Sequence, residues 1–542
     1  MQDAPFGNYF RVLGGLTWLC ILCFGPSHAG AQTTPKDVWD VLHYDFHLNL
    51  SDNSDTIKGL ANIRVKILEK KQDFGLDLTS IDEKGNGMRV LQVSEGGMPI
   101  NFRQEGEKLW VSPQQSGERT IQIQYLGVPS DGLIITKLNS GGKTFFGDNW
   151  PNRAHHYLPC VDHPSDKATV SFSVTAPSRY QVVSNGLQVS DSLGPHDTRT
   201  TRYVASTVLP TKVMVVGVGQ FAVKQFDHSG KVPVSAWIFP EQAENGFREY
   251  SKAVPVLAFF EKWIAPFPFE KLANVQSRTR FGGMENAGCI FYHENSARGD
   301  GSSEALIAHE IAHQWFGNTV TESDWKHLWL SEGFATYLTH FYIEMTYGKE
   351  AMLKRLRKDR ETIRMFPPTY ERPVVDSLEK DYMNLLSPNS YEKGSWVLHM
   401  LRQEVGDSTF FQILRSFYDT HRFQNATTGD FRRAAEVISG KSLGTFFDQW
   451  LHRPAHPNLE IKWDALKSKK HIQITVKQLQ NHPFEFDLTV QFQCEGQEPV
   501  YRKLQISAQE EAFNLDFDSK VTGILVDPHT ELLWQGTVKA LN

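Results

Sequence analysis

The 542-residue sequence predicts a multidomain α+β protein, β-rich towards both ends with a mainly helical middle. Three observations predict it. Apolar and polar residues alternate from Val38 to about Phe221, helical spacing holds from around Asn245 to about Trp450, and alternation returns after Arg453-Pro454-Ala455-His456-Pro457. At about 100–200 residues per domain, a chain of this length holds two to four.

Taken in order, residues 1–31 differ from the rest. Arg11 precedes an uncharged apolar run from Val12 to Gly25, and Ala29-Gly30-Ala31 supplies small residues for cleavage before Gln32. A signal peptide is expected, with export to the periplasm or medium. The run falls short of the ~20 residues that cross a bilayer, so no stable membrane span is expected after its removal. The second segment, 32–221, shows period-two runs such as Tyr44-Asp45-Phe46-His47-Leu48 and Ile63-Arg64-Val65-Lys66-Ile67, punctuated by Gly141-Gly142 and Ser184-Asn185-Gly186. It reads as antiparallel sheet.

In the third segment, 222–452, Phe247 to Ile264 has helical spacing until Pro266 and Pro268 stop it. Further helices are expected near 303–317, 331–347, 349–364, 390–405 and 427–438. The last segment, 458–542, carries Ile472-Gln473-Ile474-Thr475-Val476 and Leu488-Thr489-Val490-Gln491-Phe492, enough for a small β-sandwich with a structural role. A formal charge of −6, without a Lys/Arg stripe, makes nucleic acid an unexpected partner. Cys160, Cys289 and Cys494 are odd in number and lack metal-ligand spacing, so neither a disulfide framework nor a thiolate site is indicated.

Chemistry concentrates in Ala308-His309-Glu310-Ile311-Ala312-His313-Gln314-Trp315, an H-E-x-x-H sequence in a proline-free apolar run. Residues four apart share a helix face, so His309 and His313 can meet one zinc ion while Glu310 borders it without ligating. Eighteen residues beyond His313, Glu332 stands in Trp329-Leu330-Ser331-Glu332-Gly333-Phe334 at an expected helix start. It can supply a third ligand, although its local sequence fits a first-turn carboxylate equally well. Two imidazoles and one carboxylate leave a fourth position open, as in catalytic rather than structural zinc.

Upstream lies Arg280-Phe281-Gly282-Gly283-Met284-Glu285-Asn286-Ala287-Gly288. A G-x-M-E-N element, then H-E-x-x-H, eighteen residues and Glu makes the chain resemble the gluzincin zinc aminopeptidases, the family of aminopeptidase N and leukotriene hydrolase. The resemblance extends through Leu158-Pro159-Cys160-Val161-Asp162-His163-Pro164, Trp315-Phe316-Gly317-Asn318 and Tyr391-Glu392-Lys393-Gly394. It implies a β saddle domain over 32–221, a thermolysin-like α/β zinc catalytic domain over 222–452 and a β-sandwich over 458–542; the large C-terminal helical domain that many members carry is not expected here.

The resemblance further implies a zinc-dependent aminopeptidase that uses one ion to hydrolyse N-terminal residues from peptides with a free N-terminus. His309, His313 and Glu332 are the implied metal ligands, and Glu310 the general base acting on zinc-activated water. Gly282, Gly283, Met284, Glu285 and Asn286 form the implied substrate-binding segment, with Glu285 on the α-amino group. Tyr391 is implied as the oxyanion donor; from its own surroundings it reads only as a core residue at a helix start. One departure stands out. Where the family presents a second amine ligand, this sequence has Trp150, with Asp148, Asn149 and Asn152 as candidate substitutes. An epoxide hydrolase-like member of the family, an endopeptidase and an inactive peptide-binding scaffold remain alternatives.

Overall fold

A computed structural model describes residues 39–68, 73–138, 141–226, 232–465 and 470–541. The expected signal peptide lies outside the described residues. The β-rich first part is built on an eight-stranded sheet whose centre runs 168–177, 39–49, 57–67 and 117–128, with 187–194 at one edge. Alternation explains it. Tyr44, Phe46 and Leu48 point into the core opposite Ile63, Ala61 and Gly59, while Asp45 and His47 face the other way. A four-stranded sheet, in the order 181–184, 216–219, 143–147 and 133–137, carries the loop that follows Gly147.

The middle part opens with a five-stranded sheet ordered 222–226, 234–238, 272–277, 289–293 and 283–284. Gly283–Met284 is therefore an edge strand, paired antiparallel to Tyr292 and Phe291 and open on its other side. The helices that follow are α1 (Ala243–Tyr250), α2 (Ala253–Trp263), α3 (Glu304–Ala312), α4 (Trp329–Tyr347), α5 (Lys349–Arg364), α6 (Gly394–Val405), α7 (Asp407–His421) and α8 (Thr428–Ser439); α1 and α3 lie on the sheet, and α3, α5 and α6 pack on α4. The last part packs sheets of four and three strands face to face, so the fold is the multidomain α+β arrangement expected.

The helical segment expected over Phe247–Ile264 is split between α1 and α2, and three further helical details depart from the spacing-based expectation. The helix expected to reach 317 ends at Ala312, because the chain reverses at Gly317, whose φ of 123° an L side chain rarely adopts. Tyr391 sits in a π-helical turn, Asn389–Lys393, that precedes α6. Helix α7 is an addition to the helices the spacing predicts. Its buried Phe410, Phe411, Ile413, Leu414, Phe417 and Tyr418 recur at steps of three and four, so the helical signal did stand in the sequence.

Polar contacts clamp the first part to the middle one. Asn185 Nδ2 donates to Val213 O and to Ala287 O, each at 2.9 Å, and Lys167 Nζ donates to Thr319 O at 2.8 Å. Lys212 and Glu322 form an ion pair with side chains only 1% and 0% exposed, beneath the ring of Trp325. Removing one member of such a pair strands the other charge, at a typical cost of about 3–5 kcal/mol. We expect Glu322→Ala to lose about that much stability in urea unfolding, and Lys212→Met combined with Glu322→Leu to recover most of it. Equal stability of Glu322→Ala and wild type would show the pair to be idle.

Candidate active site

His309 lies in the last turn of α3, and His313, the residue after the helix, keeps helical angles of −57° and −24°. One turn apart, their Nε2 atoms are 3.0 Å from each other, and Glu332 Oε2, from the first turn of α4, lies 3.4 and 3.2 Å from them. All the candidate ligand atoms fall within 4.8 Å of one another. Donors about 2.0–2.1 Å from a tetrahedral zinc ion would themselves be about 3.3 Å apart, so the spacing fits.

The donor chemistry fits too. Glu332 Oε2 is buried and has no hydrogen-bond partner among the described residues. His313 Nδ1 lies 3.2 Å from Phe316 O and 3.1 Å from Ser331 Oγ; a proton there, donated to Phe316 O, leaves the Nε2 lone pair for a metal. Burial by itself lowers the pKa of His313, yet Glu332, Glu285 and Glu310 together raise it to about 9. The pocket is short of positive charge. Burial raises the Glu310 carboxyl well above its usual range, with Glu285 and Glu332 adding to the push and His313 opposing it.

Glycine contacts bring the elements together. A Cβ on Gly283 would overlap the Glu310 carboxylate, whereas one on Gly282 would meet nothing within 4 Å. The two glycines that the sequence presents as a pair therefore differ: only Gly283 is shaped by the site. Across the pocket, a Cβ on Gly333 would come 2.9 Å from the Gly394 carbonyl carbon. That crossing lets α4, which carries Glu332, touch the turn that carries Tyr391. The Tyr391 ring lies 6.0 Å from the His309 ring, nearly parallel at 11°.

Glu285 is buried, and its Oε1 has no hydrogen-bond partner among the described residues. Its backbone, in contrast, is fixed: Gln314 Nε2 donates to Glu285 O at 2.8 Å and Asn318 Nδ2 to the same oxygen at 2.6 Å. Gln314 Oε1 also accepts from Gly288 N at 2.9 Å. Gln314 and Asn318 are two site residues that sequence reasoning assigned no role, though the first directly follows H-E-x-x-H. Met284 and Asn286 are buried on either side of Glu285, and both polar atoms of the Asn286 side chain are without a hydrogen-bond partner among the described residues.

The 148–152 loop resolves part of the departure at Trp150. Asp148 is committed to Arg153 Nη2 at 2.7 Å and accepts from Arg280 N at 3.2 Å, bracing the segment that leads to Gly282. Asn149 is committed to Thr211 O, Met214 O and Tyr157 Oη. Both are fully buried among these partners; Asn152 is half-buried and makes no hydrogen bond among the described residues. Trp150 is buried edge-on against Trp325, with ring centroids 5.6 Å apart.

Known proteins share this organisation. The peptidase family M1 domain matches residues 248–450, and the peptidase M1 N-terminal domain matches residues 41–213. The chain belongs to peptidase family M1. This M1 chain is 26% identical over 464 residues to human glutamyl aminopeptidase, covering 78% of this chain and 48% of that protein. It is likewise 26% identical over 393 residues to aminopeptidase N of Lactococcus lactis, covering 66% and 45% respectively. The chain spans about half the length of the curated relatives it matches. A crystal structure of an M1 zinc metallopeptidase variant from Deinococcus radiodurans shares the fold, with a TM-score of 0.66 at 24% identity over 78% of this chain and 96% of that one.

The glycine crossing yields a test of packing. Glycine to alanine inside a helix ordinarily gains about 1 kcal/mol, but overpacking against fixed backbone costs about 1–3 kcal/mol. We expect Gly333→Ala to be destabilising on balance in urea unfolding, with Gly282→Ala near neutral. The reverse ranking would contradict the contact.

Proposed function

We propose that this chain is a zinc-dependent aminopeptidase that hydrolyses the N-terminal residue from peptides. One juxtaposition carries the reading: a two-imidazole, one-carboxylate group stands beside Glu285, a buried carboxylate with an unpartnered oxygen. Such a carboxylate has an evident use as the seat of a substrate ammonium, which selects chain ends over internal bonds. The M1 family assignment and the aminopeptidase names of its relatives support the same reading.

In this proposal His309, His313 and Glu332 hold the zinc, which when bound polarises the scissile carbonyl and lowers the pKa of water toward about 7. Glu310 accepts a proton from the attacking water on its carboxylate and returns it to the leaving amine. With a cation held by those three residues, Glu310 would keep the carboxylate form that a base needs. Tyr391 donates its hydroxyl hydrogen to the carbonyl oxygen as charge develops there; removal of such a donor typically costs about 2.7–4 kcal/mol. The open edge of Gly283–Met284 accepts the peptide as an added strand, so Glu285 meets its first residue. Export after removal of residues 1–31 belongs to the same proposal.

The deciding experiment is hydrolysis of aminoacyl-arylamides beside an N-acetylated control, with and without a zinc chelator. Chelator-sensitive release from free amines alone is expected. Equal cleavage of the blocked control points to an endopeptidase, and no release from zinc-loaded protein returns the epoxide and scaffold readings. Glu310→Gln should keep zinc and lose hydrolysis, whereas His309→Ala should lose both, as read by metal analysis beside the assay. A fully active Glu310→Gln would sink the general-base role. Glu285→Ala should cost free-amine substrates far more than it costs folding, monitored by thermal unfolding.

A further inference from the structure

Tyr391 owes its place to an irregular turn, and the residue that ties that turn down is Lys393. In the π-helical turn, Tyr391 N donates to Ser387 O at 3.2 Å and Lys393 N to Pro388 O at 2.8 Å. In a turn closed by such a five-residue bond, side chains two apart still project to nearly opposite sides. Tyr391 faces His309, and Lys393 faces the chain that leaves the helices for the final β-sandwich.

The Lys393 side chain is fully buried, and among the described residues its ammonium has one acceptor, Ala455 O at 2.8 Å. Burial alone drops its pKa to about 7. Ala455 lies in the linker 453–457, where it adopts a φ of 67°, uncommon for a residue with a Cβ. Its own N–H donates to Thr369 O at 2.7 Å, so the two peptide units that flank the Ala455 Cα are both held. Next to it His456 is buried against Tyr370 with ring centroids 5.4 Å apart, and burial, then the Lys393 charge, lowers its pKa to about 3. No counter-charge comes from that side.

A buried ammonium with one neutral partner is a poor source of stability, since an apolar side chain of similar volume would fill the space at less cost. The arrangement does supply fixed geometry. We propose that Lys393 is a positioning residue: by anchoring the Tyr391 turn to Ala455 of the linker, it sets the place of the Tyr391 hydroxyl over the metal group. The inference rests on the proposed role of Tyr391 in hydrolysis, and a structural readout keeps the two separable.

The test compares Lys393→Met, Tyr391→Phe and the double variant in the zinc-loaded full chain. Lys393→Met is expected to lower kcat about 10- to 100-fold, with KM and zinc content changed less than about 2-fold. On the Tyr391→Phe background the same substitution should change kcat less than about 2-fold, because its effect acts through the hydroxyl already removed. A crystal structure of Lys393→Met should show the Tyr391 ring displaced from its parallel position beside His309. Multiplying losses in the double variant, or an undisplaced ring, would overturn the proposal. A Tyr391→Phe variant as active as wild type would remove the functional role of Tyr391 while the ring position still decides the anchoring. If Lys393→Met does not fold, Ala455→Val, whose β-branched side chain disfavours positive φ, disturbs the same contact from the linker side and is held to the same criteria.

Discussion

Three carboxylates, Glu285, Glu310 and Glu332, are buried around His313, and most of the surrounding structure can be read as the means of keeping them there. Like charges about 4 Å apart repel by roughly 4 kcal/mol at the effective dielectric of a protein edge, and by more deeper inside. The pocket answers in two ways. His309 and His313 offer lone pairs to a cation that would offset the charge, and the peptide units carrying the acids are pinned by neutral hydrogen bonds instead of by salt bridges. Gln314 is the clearest case, since one side chain fixes both Glu285 O and Gly288 N.

The pinning extends across the seam between the first and middle parts of the chain. Asn185 reaches Ala287, Asp148 reaches the Arg280 amide, Lys167 reaches Thr319 and Lys212 reaches Glu322. Each contact lands within a few residues of the edge strand or of the turn behind His313. The β-rich part therefore acts as a brace for the proposed substrate strand, and the C-terminal sandwich with the linker before it braces the helical side, where Arg360 pairs with Asp527 of the sandwich at 3.1 Å and Lys393 with Ala455 of the linker. A site held from both ends tolerates close backbone crossings such as Gly333 against Gly394, which a loosely packed pair of helices would not need.

Much of this was legible in the sequence because it follows from local periodicity. Alternation at Tyr44, Phe46 and Leu48 specifies the buried face of a strand, and the four-residue step from His309 to His313 specifies a shared helix face. What stayed hidden depends on contacts between segments far apart in the chain. Nothing near Gly282 and Gly283 tells which of them lies against Glu310, and nothing near Lys393 points to a carbonyl 62 residues away. Asp148 and Asn149 looked available as amine ligands until their partners, Arg153, Arg280, Thr211 and Met214, came into view.

The central claim is that the histidine and glutamate group is built for a cation, and zinc titration of chelator-treated protein followed by thermal unfolding tests it most directly. A ligand that binds only the folded state at a thousandfold excess over Kd stabilises it by about 4 kcal/mol. The account predicts a rise in Tm that saturates near one zinc per chain and is absent in His309→Ala. A wild-type Tm indifferent to zinc, or a rise that persists in His309→Ala, would contradict it.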